Sequence, residues 1–274
     1  MSELPTRDAA LRARYGGAPV PDGPWNAVLA SMLAHRSVRA YKPDALPPGT
    51  LETVVAAAQS AATSSNMQTW SVVAVSDPET RAALARIAAG QRHVTECPLF
   101  LVFLADLSRL ARVGEDAGAV LHALPFLETF LVAAMDAAIA AQNAAVAAES
   151  LGLGTVYIGA VRNDPDGVAA ALGLPPGAVA VTGLCIGYPD TQREQAAVKP
   201  RLPQAAVLHR NRYDCADAAA RASYDGALQA FSAKSERAAY SWTERVISRM
   251  GSLLALAGRD TLRDALVRLG LPLR

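Results

Sequence analysis

The sequence is poor in residues that form covalent or metal cross-links. Its three cysteines, Cys97, Cys185 and Cys215, are far apart and form no Cys-x-x-Cys pair, so neither a disulfide framework nor a thiolate metal site is expected. Four scattered histidines give little support to a histidine metal site or a histidine-based catalytic triad. We therefore predict a protein of a reducing cytoplasm that holds no metal.

A strong excess of either charge is also lacking. The 274 residues carry a net charge of +1, with 19% charged and 51% hydrophobic residues, a balance typical of a globular protein. Nucleic-acid binding requires a local excess of Lys and Arg to neutralise phosphates, so no nucleic-acid partner is expected. From residue 190 onward 14 Lys and Arg face 9 Asp and Glu. This mild excess could attract a small anion or simply solvate a helical tail.

Several diagnostic motifs are absent as well. There is no GxxxxGK[ST], GxSxG or HExxH, and the glycines of "GLGTVYIG" (152–159) have the wrong spacing for a dinucleotide fingerprint. The N-terminal residues carry charge throughout, unlike a signal peptide. The most apolar stretch, 130–153, contains Asp136 and Glu149, which would cost roughly 2.5 to 3.5 kcal/mol each in mid-bilayer, so we expect a buried helix and no membrane partner.

Proline and glycine separate segments with the apolar periodicity of helices and of strands. This pattern predicts alternating helices and strands, which favours an α/β or α+β fold. We predict Thr50 as a helix N-cap and a helix starting at Asp77-Pro78. A long alanine-rich helix is predicted from about Glu128 to Leu151. Predicted strands start near 70, 97, 155 and 178, the third covering 155–161. We divide the chain into an N-terminal arm (1–24), a core (25–191), and a phosphate-binding loop with a helical extension (192–274).

Four loop stretches concentrate polar residues: "HRSVR" (35–39), "TSSNMQTW" (63–70), "VYIGAVRN" (156–163) and "KPRLP" (199–203). Cationic and hydroxyl donors in the first and last suit a phosphate monoester, whereas mixed donors and acceptors in the second suit the edge of a heterocycle. A flat heterocycle with a phosphate tail is flavin mononucleotide (FMN). Each stretch also has a purely structural alternative: a helix C-cap, an ordinary turn, a sheet glycine and a solvated loop, respectively.

In order along the chain, "HRSVRAY", "SSNMQTW", "GQRH", "AAQNAAVAAESLGLGTVYIGAVRN", "GLCIGYP" and "KPRLP" resemble the nitroreductase family of flavoproteins, in its NADPH-dependent branch of oxygen-insensitive nitroreductases and flavin reductases. The resemblance implies an α+β fold with a central, mostly antiparallel sheet flanked by helices, and a C-terminal helical extension. It also implies a homodimer with FMN at the interface. The alanine-rich helix would suit such an interface, or equally a core position within one subunit.

The resemblance assigns roles to individual residues. The phosphate and ribityl chain would be held by His35, Arg36, Ser37, Lys199 and Arg201, and the pyrimidine edge of the ring by Arg39. Further ring contacts would come from Thr63, Ser64, Ser65, Asn66, Gln68 and Gln91, and from Tyr157, Ile158 and Gly159. NADPH or substrate would meet Lys234, Arg237 and Arg259, the last of which could equally form a surface salt bridge. Ala160 replaces a family glycine, and Asn66 resembles the wider family where close relatives often carry Phe.

The implied activity is an FMN-dependent NAD(P)H oxidoreductase, which transfers two electrons from NADPH or NADH to nitroaromatics, quinones or flavins by a ping-pong mechanism. FMN carries the chemistry, so no catalytic side chain is assigned. Two alternatives stay open: a non-catalytic FMN-binding protein for sensing or assembly, and a flavoenzyme specialised for enone reduction or reductive dehalogenation.

Overall fold

The computed structural model describes residues 4–17, 20–236 and 238–274. The chain divides into two compact units, each discontinuous in sequence. The first unit combines residues 1–37 with 191–256, and the second combines 38–190 with 257–274.

The helices of the first unit begin and end at residues that satisfy their free backbone groups. Helix α1 (Arg7–Tyr15) starts at Thr6, whose hydroxyl accepts from Ala9 N, and ends at Gly16. Asn26 caps α2 (Ala27–Ala34) in the same way. In the C-terminal segment lie α9 (Ala218–Ser235) and α10 (Trp242–Met250), and α10 opens with a capping box. The predicted C-terminal helices are thereby confirmed, whereas α1 was not predicted.

The second unit is built on a four-stranded antiparallel sheet with the order β1-β2-β4-β3. The strands are β1 (Trp70–Val75), β2 (Leu99–Asp106), β3 (Gly154–Ile158) and β4 (Ala178–Gly187). Almost every residue of β2 is buried, because elements cover both faces of this central strand. The α+β class and the antiparallel sheet implied by the resemblance are confirmed.

Helix α7 (Leu127–Ser150) packs against β2 and β4 through an alanine face. Its small side chains let the helix approach the sheet closely, and the helix ends before Gly152, which adopts φ +80°. By length and composition alone α7 could cross a membrane. Its alanine face is instead buried in the core, as are Val54, Leu101, Phe103, Leu184 and Ile186.

The other helices of the second unit are α3 (Thr50–Gln59), α4 (Pro78–Ile87), α5 (His93–Glu96), α6 (Ser108–Asp116), α8 (Pro165–Leu172) and α11 (Leu262–Arg268). Asp77 caps α4 as predicted, with its carboxylate accepting from Thr80 N at 2.7 Å. The predicted cap at Thr50 is wrong: Gly49 holds the cap position, and the Thr50 hydroxyl donates to the Pro47 carbonyl at 2.7 Å.

The third strand is shorter than predicted. It ends at Ile158, and Gly159–Asn163 forms a 3-10 turn that carries the chain away from the sheet.

The last residues of the chain complete the core of the second unit. Leu266 and Leu271 are buried in a cluster with Ala105 and Ala133. Leu269 accepts from Gly177 N at 2.7 Å, and the final residue, Arg274, donates its N–H to Pro125.

Candidate functional site

The segment that follows α2 lies in the first unit and holds three predicted phosphate ligands. His35, Arg36 and Ser37 are half-buried. The Arg36 guanidinium donates to the Ala34 carbonyl at 3.4 Å. This long hydrogen bond to the last residue of α2 agrees in part with the alternative that the segment caps the helix C-terminus. The Arg36 side chain therefore stays next to the end of α2, and its backbone N–H donates no hydrogen bond within the described residues.

The "KPRLP" segment lies in the same unit and is fixed by its backbone. Arg201 N donates to the Arg14 carbonyl at 2.8 Å, and the Tyr224 hydroxyl donates to the Pro200 carbonyl at 3.0 Å. The buried guanidinium of Arg14 donates to the carbonyls of both Lys199 and His35. One side chain thus joins the two segments that hold the predicted phosphate ligands.

Lys199 already holds an anion. Its ammonium lies 2.5 Å from a carboxylate oxygen of Glu236, and Tyr240 donates its hydroxyl to the same carboxylate. Burial opposes ionisation, but the hydrogen bonds from Lys199 and Tyr240 hold the pKa of Glu236 below its ordinary value. Arg245 stacks over the Tyr240 ring at 4.1 Å, beside a cavity of about 570 Å³. The site can therefore bind a carboxylate or phosphate oxygen at Lys199.

In the second unit, residues 64–68 form a strained loop. Ser65, Asn66 and Gln68 have φ of 49°, 55° and 52°, in the left-handed region that residues with a Cβ seldom adopt. Such strain persists only where surrounding structure imposes it, and it concentrates at binding sites. The side chains of Ser64, Ser65 and Asn66 are exposed, and within the described ranges they make no hydrogen bond.

Asp136 of α7 imposes this conformation from the core. Its carboxylate, 3% exposed, accepts from Ser64 N at 3.1 Å, from Thr69 N at 3.2 Å and from the Thr69 hydroxyl at 2.8 Å. Both ends of the 64–68 loop are therefore fixed by one buried anion. The sequence offered Asp136 as an argument against a membrane span, and gave no sign that it contacts a loop 67 to 72 positions earlier.

Other predicted ring contacts are distributed over the second unit. Arg39 is exposed and precedes Tyr41, which pairs with Pro189 in an isolated bridge. The Gln91 amide oxygen lies 2.9 Å from the His93 ring nitrogen. Thr63 is half-buried at the start of the 64–68 loop. The structure therefore holds each of these residues near the surface.

The end of β3 places two predicted residues beside an arginine that the sequence did not single out. Tyr157 donates its hydroxyl to Gln142 at 3.2 Å, and burial, with the Glu149 carboxylate, raises its pKa. Ile158 is buried. A Cβ placed on Gly159 would lie 3.3 Å from the Arg162 guanidinium, so this cation approaches the glycine backbone closely.

Arg162 is part of the "VYIGAVRN" motif. Only the fold shows that its guanidinium lies against the backbone of Gly159 and the Val181 carbonyl. The guanidinium donates to the Val181 carbonyl, and burial lowers its pKa, with the charge of Arg259 adding to the effect. The neighbouring Asn163 has a buried amide oxygen without a hydrogen-bond partner within the described residues. Two cations and a buried amide oxygen without a partner among the described residues therefore lie around the 3-10 turn.

The remaining predicted residues differ in how far the structure describes them. Arg259 is half-buried near Arg162, and Lys234 is exposed in the last turn of α9. Arg237 lies outside the described residues. No group of three or more His, Cys, Asp or Glu that could hold a metal ion occurs in the described ranges.

By unit, the predicted residues form two sets. The first unit contains His35, Arg36, Ser37, Lys199, Arg201 and Lys234, and the second contains Arg39, Thr63, Ser64, Ser65, Asn66, Gln68, Gln91, Tyr157, Ile158, Gly159 and Arg259.

Comparison with known proteins gives matches along most of the chain. Residues 32–188 match the nitroreductase family, and residues 199–274 match the C-terminal domain of the nitroreductase family. The NADPH-flavin oxidoreductase of Vibrio harveyi is 37% identical over 227 residues, which cover 82% of this chain and 91% of the relative. The oxygen-insensitive NADPH nitroreductase of Salmonella typhimurium is 35% identical, covering 72% of this chain and 79% of the relative.

Solved structures agree with the sequence matches. NfrA2 of B. megaterium has a TM-score of 0.85 at 34% identity, covering 91% of this chain and 100% of that protein. The NADPH:FMN oxidoreductase of Vibrio harveyi, complexed with NAD+, has a TM-score of 0.80 at 35% identity, with 91% and 100% covered. The chain belongs to the nitroreductase family, as its motifs indicate.

Proposed function

We propose that this protein is a cytoplasmic, FMN-dependent NAD(P)H oxidoreductase that delivers two electrons to nitroaromatics, quinones or flavins. The names of its relatives, NADPH-flavin oxidoreductase and NADPH nitroreductase, support this activity. The observation that carries the proposal is the 64–68 loop, whose backbone strain is maintained by a buried carboxylate while the side chains of Ser64, Ser65 and Asn66 make no hydrogen bond within the described residues. A loop of this kind is ready to bind the donors and acceptors of a heterocycle.

The donor set of the first unit fits the phosphate of FMN. Lys199 binds a carboxylate in the free protein, and a phosphate dianion carries more charge and more acceptor oxygens. We propose that the phosphate binds to Lys199, Arg201, Arg36 and Ser37, with His35 beside the ribityl chain. Glu236 would leave Lys199 when the phosphate arrives.

The donor set of the second unit fits the ring. We propose that Thr63, Ser64, Ser65, Asn66, Gln68 and Gln91 bind the polar edge of the isoalloxazine, and that Tyr157, Ile158 and Gly159 line one face. Arg39 would place a fixed positive charge at the pyrimidine edge, where negative charge develops on reduction. The exposure of the 64–68 loop and of Arg39 supports these roles.

When bound, FMN supplies a centre that accepts and donates hydride. The residues of this chain bind and orient both reactants, and no side chain has to transfer a proton to start the reaction. We propose that NAD(P)H and the oxidant use one pocket in turn, which gives ping-pong kinetics. Arg259 and Arg162 would attract the polar groups of either reactant, and Lys234 and Arg237 would contact the 2′-phosphate of NADPH.

We further propose a homodimer with FMN at the interface. The side of α7 opposite its alanine face exposes Leu127, Leu131, Met135 and Ile139, with 45 to 54% of each accessible in a single chain. An apolar stripe of this kind on a soluble protein marks an interaction surface. A second copy that covered it would bury the stripe and place two α7 helices against each other.

The test is made on the purified protein. We expect a yellow preparation with flavin absorption, bleaching by NADPH or NADH under argon, and turnover with a nitrofuran or benzoquinone. A colourless protein that takes up no FMN would refute the proposal. Bound FMN that neither nucleotide bleaches would indicate the sensing or assembly role, and bleaching with poor turnover of both acceptors would indicate a specialised reductase.

Arg39→Met tests the electrostatic part, with Arg86→Met as control because Arg86 is exposed on α4. We expect Arg39→Met to lower the midpoint potential of bound FMN by on the order of 30 mV, which is about 1.4 kcal/mol for two electrons. The control should leave the potential unchanged. An unchanged potential in Arg39→Met would refute the role of Arg39.

A further inference from the structure

Arg14 is a buried cation in a helix that precedes both family matches, which start at residues 32 and 199. The residue is 6% exposed. A buried guanidinium loses its hydration and has to be satisfied by hydrogen bonds. Its Nε donates to the Leu33 carbonyl at 2.9 Å, Nη1 to the Lys199 carbonyl at 2.9 Å and Nη2 to the His35 carbonyl at 2.5 Å.

These contacts orient the backbone on which the predicted phosphate donors lie. In a trans peptide the carbonyl and the following N–H point in opposite directions. Because the His35 carbonyl points at Arg14, the Arg36 N–H points away from it, and within the described residues this N–H donates to nothing. On the other segment, Arg201 is fixed by its own N–H, which donates to the Arg14 carbonyl at 2.8 Å.

We propose that Arg14 is a positioning residue of the phosphate site: its guanidinium holds the backbone at His35 and Lys199 so that the donors of both segments are aligned for a phosphate monoester. Arg14 touches neither the phosphate nor the reacting atoms. It aligns the Arg36 N–H and the Lys199 and Arg201 side chains before the ligand arrives, which lowers the ordering cost of binding. This role depends on the proposed function, because it presupposes that these donors bind the FMN phosphate.

The test compares a flavin with a phosphate and one without. Apo forms of the full-length protein are titrated with FMN and with riboflavin, and Kd is read from flavin fluorescence. The variants are Arg14→Met and Lys199→Met, with Arg12→Met as the matched control because Arg12 is an exposed arginine of the same helix. We expect Arg14→Met to weaken FMN about tenfold or more, the scale of one lost hydrogen bond to a charged group. Riboflavin should change less than about twofold, and Arg12→Met should change neither Kd.

A role of Arg14 in general packing would weaken both flavins alike, and that result overturns the proposal. So does an unchanged FMN Kd in Arg14→Met. If Arg14→Met does not fold, Arg14→Lys replaces it, since it keeps the charge but cannot bridge three carbonyls. If riboflavin binds too weakly to titrate, the visible spectrum of FMN at saturation replaces it, and a changed spectrum counts against the proposal.

Lys199→Met separates this proposal from the function on which it depends. If Lys199→Met leaves the FMN Kd unchanged, the proposed phosphate site itself is wrong. If Lys199→Met weakens FMN while Arg14→Met does not, the phosphate site stands and only the role of Arg14 fails.

Discussion

Replacing Asp136 by Asn removes one carboxylate oxygen from the support of the 64–68 loop. The carboxylate accepts three hydrogen bonds, one from Ser64 and two from Thr69, in a buried environment. An amide offers a single acceptor oxygen and presents an NH2 group in place of the other. Whichever way the Asn side chain turns, one set of buried donors then faces another donor.

The expected cost follows from those contacts. A buried donor left without an acceptor costs about 1 to 3 kcal/mol, and the amide leaves either the one donor of Ser64 or the two donors of Thr69 without an acceptor. The orientation that keeps the amide oxygen on Thr69 leaves only the Ser64 N–H unpaired, so the expected total is about 1 to 3 kcal/mol. At about 2 to 4 °C per kcal/mol for a chain of this size, the melting temperature should fall by roughly 2 to 12 °C.

The assay combines thermal unfolding with hydrogen exchange of the peptide that contains residues 63–69. We expect Asp136→Asn to melt early and to exchange faster in this peptide, with a weaker flavin affinity as a further consequence. Asp116→Asn is the control, because Asp116 is exposed at the end of α6. A melting temperature within about 1 °C of the parent, or an unchanged exchange rate in the loop, would refute the support role of Asp136.

Gly187→Ala should cost about 1 to 3 kcal/mol in urea unfolding, because a Cβ would lie 2.5 Å from the ring of Pro98 and the ring cannot move aside; a cost below about 0.5 kcal/mol would contradict this packing. Burial alone would raise the pKa of Asp106, but hydrogen bonds from serine hydroxyls hold it below its ordinary value, so its contribution is present above about pH 4 and is lost as pH falls through the folded pKa. Asp106→Asn should therefore lower stability at pH 7 and reduce its loss between about pH 4 and pH 2, and an unchanged pH dependence would contradict this. Met135→Glu places a charge on the exposed stripe of α7 and should shift sedimentation from dimer to monomer; an unaltered dimer would exclude this surface. Glu236→Gln removes the competing anion and should tighten FMN about two- to fivefold, whereas a weakened affinity would contradict the competition.

Local patterns predicted those parts of the fold that depend on neighbouring residues. The apolar run of β2, the Asp77-Pro78 start of α4 and the alanine-rich α7 each carry their signal within a few positions. The cap at Thr50 was mispredicted because threonine is a common N-cap residue. In the structure the preceding residue, Gly49, holds the cap position in a left-handed conformation that glycine adopts readily. The third strand was extended too far because "YIGAV" remains apolar where the 3-10 turn begins.

The candidate site was likewise predicted only in part from the sequence. Its polar loops stand out as short motifs, whereas the residues that support them do not. Asp136 contacts a loop about seventy positions away. Arg14 donates to backbone carbonyls, which every residue has. No particular residue type at its partner positions therefore signals these contacts in the sequence. Long-range contacts to backbone groups can be identified only once the fold is known.

The C-terminal residues have a consequence for how the chain matures. Because Leu266, Leu271 and Arg274 close the second unit, a nascent chain that has already made all four strands still exposes the apolar surface around Ala105 and Ala133. Such surface is prone to aggregation until it is covered. Completion of this unit thus has to wait until residues 266–274 have been synthesised. A chain truncated before Leu266 would therefore be prone to aggregation even though every predicted flavin contact had already been synthesised.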